Sequence, residues 1–177
     1  MSKILKKLYS IVAIFACAGL AGCYESKASL INSEQAVTYL NTGQYCRYDY
    51  DSKTEEYGET CNPETLKWAA TKNSYLANID DYQRIIRVDG RPVSTGIFAG
   101  QYIGEACSYD KNYPQPYICV YGALDIQYDG TVIWTAPQCE DGTDSCPIAN
   151  YQELRQLFEG RDNVYYKARY KYVLQGA

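Results

Sequence analysis

The chain has 177 residues, enough for one folded domain with a core of its own. Its 17 lysines and arginines against 21 acids give a net charge of −4. This charge disfavours nucleic acid as a partner, because binding to phosphates depends on basic residues. The chain has no histidine, which excludes Ser-His-Asp and Cys-His catalytic arrangements and removes the commonest metal ligand.

The first 22 residues have the layout of a secretory signal peptide. Lys3, Lys6 and Lys7 form a basic start without acids, and an almost wholly apolar run follows from Leu8 to Leu20. That run is too short to span a bilayer, which takes about 20 apolar residues. We therefore predict that residues 1–22 are a signal segment removed on export.

The motif Leu20-Ala21-Gly22-Cys23 ends the apolar run and closely resembles the lipobox of bacterial lipoproteins. The resemblance implies that the Cys23 sulfur is lipidated, that the chain is cleaved before Cys23, and that the new amine is acylated. Two or three acyl chains make such anchoring effectively permanent. In Gram-negative lipoproteins an aspartate after the lipidated cysteine favours the inner membrane. Tyr24 at that position implies the outer membrane, with the protein facing the periplasm.

The segment after the anchor is predicted to begin with a short tether and a helix. Residues 23–31 show no clear period and are interpreted as the tether. Asn32 followed three residues later by Gln35 is typical of a helix N-cap, and it predicts a short helix through Leu40 with Gly43 as its stop. One domain is expected to cover the rest of the chain, 32–177.

Strand-like runs fill the middle of that domain. In segments 82–98 and 117–136 an Asp-Gly pair lies between alternating apolar residues, which is a strong local signal for a β-hairpin. A weaker third hairpin is predicted over residues 64–79. The two Asp-Gly turns are Asp89-Gly90 and Asp129-Gly130.

A second helix and a final strand complete the expected fold. Residues 150–160 have an Asn cap, apolar residues on one helical face and a Gly stop. Residues 163–174 alternate, with Tyr170 and Tyr172 on one face and Arg169 and Lys171 on the other. These elements predict an α+β domain: a mainly antiparallel sheet with two short helices packed on it, stapled by three disulfides.

Six cysteines besides Cys23 follow the signal segment, an even number that indicates three disulfides in an exported chain. Six cysteines allow fifteen pairings, and the sequence does not choose among them. We predict pairing between sequence neighbours, because each pair would close a short polar loop. Zinc is disfavoured because there is no C-x-x-C motif and no histidine. The predicted pairs are Cys46–Cys61, Cys107–Cys119 and Cys139–Cys146.

Acidic and aromatic loops are the candidate binding features. Without its first 22 residues the chain has 14 basic and 21 acidic residues, a net charge of −7 that suits a basic partner protein. Segment 139–146 holds three acids in a loop that a disulfide would close, and its spacing does not match an EF-hand. Segment 109–117 places tyrosines among polar residues and prolines, a composition enriched at protein interfaces. The candidate residues are Glu140, Asp141, Asp144, Tyr109, Tyr113 and Tyr117.

These features favour a non-enzymatic, lipid-anchored periplasmic protein that binds another envelope protein, with no cofactor, no metal and no catalytic residue assigned. The most specific hypothesis is an inhibitor or immunity-type protein acting on an envelope enzyme or toxin. One alternative is an assembly or scaffold lipoprotein of the outer membrane. Another is a hydrolase that cleaves cell-wall glycans with paired carboxylates, since acids are plentiful.

Overall fold

A computed structural model describes residues 23–69, 73–79, 82–109, 118–139, 145–162 and 166–176. These residues contain eleven β-strands and one α-helix. The strands are β1 (Cys23–Ser26), β2 (Gly43–Asp51), β3 (Glu56–Tyr57), β4 (Asn62–Ala69), β5 (Ser74–Ile79), β6 (Tyr82–Val88), β7 (Tyr102–Tyr109), β8 (Ile118–Ile126), β9 (Val132–Pro137), β10 (Ser145–Pro147) and β11 (Tyr166–Leu174). The helix, α1, covers Tyr151–Phe158.

Eight of the strands close into an antiparallel barrel. Their order is β8-β7-β6-β5-β4-β2-β11-β9, and β9 pairs with β8 to complete the ring. The short strand β3 pairs with β2, while β1 runs antiparallel to the first half of β8 and parallel to β10. An eight-stranded barrel has an interior just wide enough to be filled by side chains or to hold one small ligand.

The predicted α+β class with two helices is therefore wrong, and the segment after Asn32 explains part of the error. The Asn32 carboxamide oxygen accepts hydrogen bonds from the Glu34 and Gln35 amides, so the cap forms as expected. The chain then leaves the turn, because the Val37 amide donates to the Val88 carbonyl at 2.9 Å. A helix this short is marginal by itself, so pairing with the barrel replaces it. Gly43 starts β2 instead of stopping a helix.

Two of the three predicted hairpins are confirmed. Strands β4 and β5 pair as expected within 64–79, and β8 and β9 pair on either side of Asp129-Gly130. Strands β6 and β7 also pair, but the chain between them runs through residues 89–101 instead of turning at Asp89-Gly90. Asp89 is buried and accepts a hydrogen bond from the Tyr151 hydroxyl of α1, which takes it out of a surface turn.

The second predicted helix and the final strand are confirmed. The Asn150 side chain accepts from the Glu153 amide at the start of α1, and Gly160 follows the helix with a φ of 80°. In β11, Tyr170 and Tyr172 pack into the barrel interior, as their alternation predicts.

Residues 23–31 are part of the folded domain, which corrects their interpretation as a tether. Strand β1 is hydrogen-bonded on both sides, and Tyr24, Ser26 and Ile31 are buried. Glu105 on the outer face of β7 holds the next turn by accepting from the Leu30 amide at 2.6 Å. Residues 1–22, the predicted signal segment, lie outside the described residues.

Apolar side chains form two separate cores. One fills part of the barrel interior, and the other lies outside β7 and β8, where α1 and the 89–101 segment cover them. Three disulfides are present, so the six cysteines that follow Cys23 are used as disulfides, and each bond joins sequence neighbours. The bonds are Cys46–Cys61, Cys107–Cys119 and Cys139–Cys146.

Candidate functional site

A cavity inside the barrel is the strongest candidate site. It has a volume of about 80 Å³. Glu64 and Arg84 are the charged residues that line it within the described chain, and most of the remaining wall is aliphatic or aromatic. The apolar wall includes Leu66, Ile86, Val120, Leu124, Val132 and Trp134.

A segment that we call the strap, residues 36–42, crosses one end of the barrel. Its Leu40 side chain lines the cavity, and the Leu40 amide donates to the Tyr75 hydroxyl at 2.9 Å. The Tyr45 hydroxyl in turn donates to the Asn41 carbonyl at 2.8 Å. Burial raises the pKa of Tyr45 to about 12, so its phenol stays protonated and keeps this bond. The strap therefore closes the apolar end of the cavity.

The indole of Trp134 forms one wall of the cavity by lying against two glycines. Gly104 and Gly122 are opposite each other on β7 and β8. A Cβ atom on Gly122 would lie 2.4 Å from Trp134 Cε2, and one on Gly104 would lie 2.7 Å from Trp134 Cζ3. No side chain fits between the indole and the strands, so the two glycines create the space that the ring occupies.

Charged residues gather at the end of the interior away from the strap. The Arg47 guanidinium donates to Glu64 at 2.7 Å and to Asp49 at 3.0 Å, and it also lies 5.2 Å from the centre of the Tyr170 ring. The Glu64 side chain is 11% exposed, whereas Asp49 at the rim is 57% exposed. At this end Asp49 is therefore mostly in solvent, whereas Glu64 is mostly covered by protein.

Burial changes the protonation of this charged end. Desolvation raises the pKa of Glu64 above its ordinary value, against the opposing attraction of Arg47 and Arg84. Desolvation and the nearby Glu64 charge raise the pKa of Tyr172, which stays a neutral phenol. A carboxylate with a raised pKa next to a cavity marks a functional-site candidate, although structural ion pairs also shift pKa values.

Arg84 differs from Arg47 in its partners. It lies on β6 opposite Ala77 of β5, and both line the cavity. Its charge acts on Glu64 and Tyr172. Within the parts of the chain that the structure describes, however, no side chain or carbonyl forms a hydrogen bond or ion pair with its guanidinium. The site therefore contains five guanidinium donors without a protein acceptor.

A second buried acid, Glu105, has a structural role outside the barrel. Its carboxylate accepts from the Ser29 hydroxyl, the Leu30 and Ile31 amides, Arg87 and Tyr121, at 2.6–3.2 Å. Glu105 lies near the sulfurs of Cys107 and Cys119, the single group of metal-ligand type found among the described residues. Because those sulfurs form a disulfide, we assign no metal to this group.

Most of the predicted binding residues cannot be placed relative to the cavity. The acids Glu140, Asp141 and Asp144 and the tyrosines Tyr113 and Tyr117 lie outside the described residues. Tyr109 is the last residue of β7, and it packs half-buried against the core outside the barrel. It therefore does not line the cavity.

Several other tyrosines take structural positions on the barrel. Tyr48, Tyr50 and Tyr57 lie on its outer face beneath cations of β11. Arg169 is 5.4 Å from the Tyr50 ring centre, and Lys171 is 5.0 Å from that of Tyr57. The high tyrosine content therefore serves packing and cation–π contacts on the described part of the barrel.

No helix among the described residues is long and apolar enough to cross a membrane. No protein-family model matches the chain, and no curated protein or solved structure is significantly similar to it. The assignment of function therefore depends on the residues and the geometry alone.

Proposed function

We propose that the protein is an exported, lipid-anchored binding protein whose barrel holds a slender amphipathic small molecule. The observation that carries this proposal is the interior cavity, which is apolar towards the strap and charged at the opposite end. Binding sites for small molecules are typically concave and mostly apolar, with a few polar groups that fix orientation. The cavity matches that description.

The size of the cavity limits the ligand. A volume of about 10–15 Å³ on this measure holds one water molecule, so 80 Å³ corresponds to a narrow space of several water molecules. A single unbranched chain or one small ring fits such a space better than a branched or fused-ring molecule. The strap and the Trp134 indole bound its apolar end.

The proposed location is the outer membrane, with Cys23 as the lipid attachment site. The Leu20–Cys23 motif supports it, and three disulfides are typical of an oxidising compartment. Because strand β1 starts at Cys23, a lipid there would hold the barrel directly at the membrane surface. Mass spectrometry of the N-terminal peptide of the exported protein tests this, since an unmodified Cys23 contradicts the lipid anchor.

Titration with hexan-1-ol, followed by tryptophan fluorescence because Trp134 lines the cavity, tests the ligand-binding proposal. We expect hexan-1-ol to bind the wild-type protein. Ala77 is buried and lines the cavity, so Ala77→Phe should fill the cavity and weaken binding at least tenfold. Ala99→Phe adds the same ring at an exposed position and should leave binding unchanged. Equal binding by a folded Ala77→Phe protein would contradict the proposal.

Binding of an envelope protein is a second proposal, supported by the net charge of −7 after residue 22. Capture experiments with Glu140, Asp141 and Asp144 changed to serine test it, and unchanged recovery of the partner would remove these acids from the interface. The identity of the partner separates an inhibitor or immunity-type role from an assembly role. Turnover of cell-wall fragments by the purified protein would favour the glycan-hydrolase alternative instead.

A further inference from the structure

The ion pairs at the polar end of the cavity are unevenly shared. Two guanidinium groups, those of Arg47 and Arg84, lie near two carboxylates, the largely covered Glu64 and the exposed Asp49. Arg47 is occupied twice, since it binds Glu64 at 2.7 Å and Asp49 at 3.0 Å. As far as the described residues extend, Arg84 contributes a positive charge that no hydrogen-bonded acid neutralises.

An arginine in this position is a built-in receptor for an anion. Its side chain is half-buried at the cavity wall. A planar fork of N–H donors matches the two oxygens of a carboxylate in a bidentate pair. A ligand that fills the cavity would displace water from this half-buried guanidinium, so a ligand with an acceptor at this point should bind better than one without.

We propose that the ligand is a monocarboxylate with a slender apolar body, and that Arg84 binds its carboxylate. This inference rests on the proposed function, because it assigns the ligand class of the same cavity. The body of the ligand would extend from Arg84 towards Trp134 and the strap, along the apolar wall.

The charges of the site favour this class over two others. A cationic head group would need the Glu64 carboxylate, but Arg47 already occupies one of its oxygens and Arg84 lies close by. A phosphate monoester would bring nearly two negative charges to an end that already holds the carboxylates of Glu64 and Asp49. A single carboxylate adds one charge and supplies the two acceptor oxygens that Arg84 lacks.

A comparison of hexanoate with hexan-1-ol tests the inference on the wild-type protein. The two ligands share a six-carbon chain and differ in the head group, and both are titrated at pH 8. We expect hexanoate to bind at least about tenfold tighter, the ratio that one charge-assisted hydrogen bond supports. This comparison needs no variant and so does not depend on any variant's folding.

Arg84→Gln identifies the residue responsible. It should lower the affinity for hexanoate to that for hexan-1-ol and leave the affinity for the alcohol unaffected, while Arg84→Lys should retain part of the preference. Lys67→Gln removes an exposed cation from β4 and serves as the control. If neither ligand binds the wild type, the proposed function fails. If both bind equally, or Arg84→Gln weakens both alike, the monocarboxylate inference fails and the binding function stands.

Discussion

Replacement of Gly122 by alanine tests the geometry of the cavity wall. The new Cβ would lie 2.4 Å from Cε2 and 2.6 Å from Nε1 of Trp134, whereas ordinary contacts are 3.4–4 Å. The indole must therefore move by about 1 Å into the cavity, and overpacking of this kind costs about 1–3 kcal/mol. Alanine would otherwise stabilise a strand interior by about 0.5–1 kcal/mol relative to glycine, so a net loss has to come from the indole.

The assay is urea unfolding of four proteins: wild type, Gly122→Ala, Trp134→Leu and the double variant. We expect Gly122→Ala to lower the free energy of unfolding by about 2 kcal/mol in the wild type and to cost nothing in the Trp134→Leu background, where the indole is absent. Gly58→Ala is the control, because its Cβ would lie 3.6 Å from the Asp49 carbonyl, an ordinary contact. An equal cost of Gly122→Ala in both backgrounds would refute the assignment of Trp134 to the glycine surface.

Three further predictions concern single groups. Glu105→Gln should lower the free energy of unfolding by about 3 kcal/mol in urea titrations, because it removes a fully buried carboxylate that pairs with Arg87, and hydrogen exchange should rise in residues 26–31. Burial raises the pKa of Glu64, so the folded state holds the proton up to a higher pH than the unfolded state does. The free energy of unfolding should therefore fall as pH rises above about 4.5. Glu64→Gln should lack that fall when unfolding is measured across pH. Asn150→Ala should cost about 1 kcal/mol in thermal unfolding through loss of the α1 cap, and no loss would contradict the cap.

The elements that the sequence predicts correctly depend on local signals. Asp129-Gly130 and the alternation of β11 need no distant partner, and neither does the cap at Asn150, so each is recognisable within a dozen residues. Closure of the barrel depends instead on pairing between β2 and β11, which lie more than a hundred residues apart. No local sequence pattern predicts this pairing. The same strand pattern is equally compatible with an open sheet covered by helices, which is the fold that the sequence analysis predicted. The helix predicted after Asn32 is wrong for the same reason. The Val37 amide pairs with the carbonyl of Val88, which is distant in sequence, instead of forming a helical hydrogen bond.

The cavity residues were missed for a related reason. Glu64 lies two residues before Leu66 on β4, and Arg84 lies two residues before Ile86 on β6. Because residues two apart on a strand point to the same face, all four line the barrel interior. In a two-sided sheet these charges are read as part of a solvated face, because alternation does not say which face is enclosed. Closure of the barrel is what places these two charged residues at the wall of an interior cavity. A polar residue in phase with the apolar residues of a strand is the signal that sequence analysis overlooked.

The described part of the chain buries three acidic clusters, and their partners separate a structural role from a binding role. Glu105 and Asp89 lie outside the barrel, and each accepts hydrogen bonds from several protein donors. In both cases the hydrogen-bond donors belong to the protein, as expected for an acid whose role is to hold two chain segments together. Inside the barrel Glu64 accepts from Arg47 through one oxygen, and Arg84 lines the cavity without an acceptor in the described chain. An arginine with a purely structural role would be expected to have a protein acceptor. We therefore infer that the acceptor for Arg84 belongs to a ligand in the cavity.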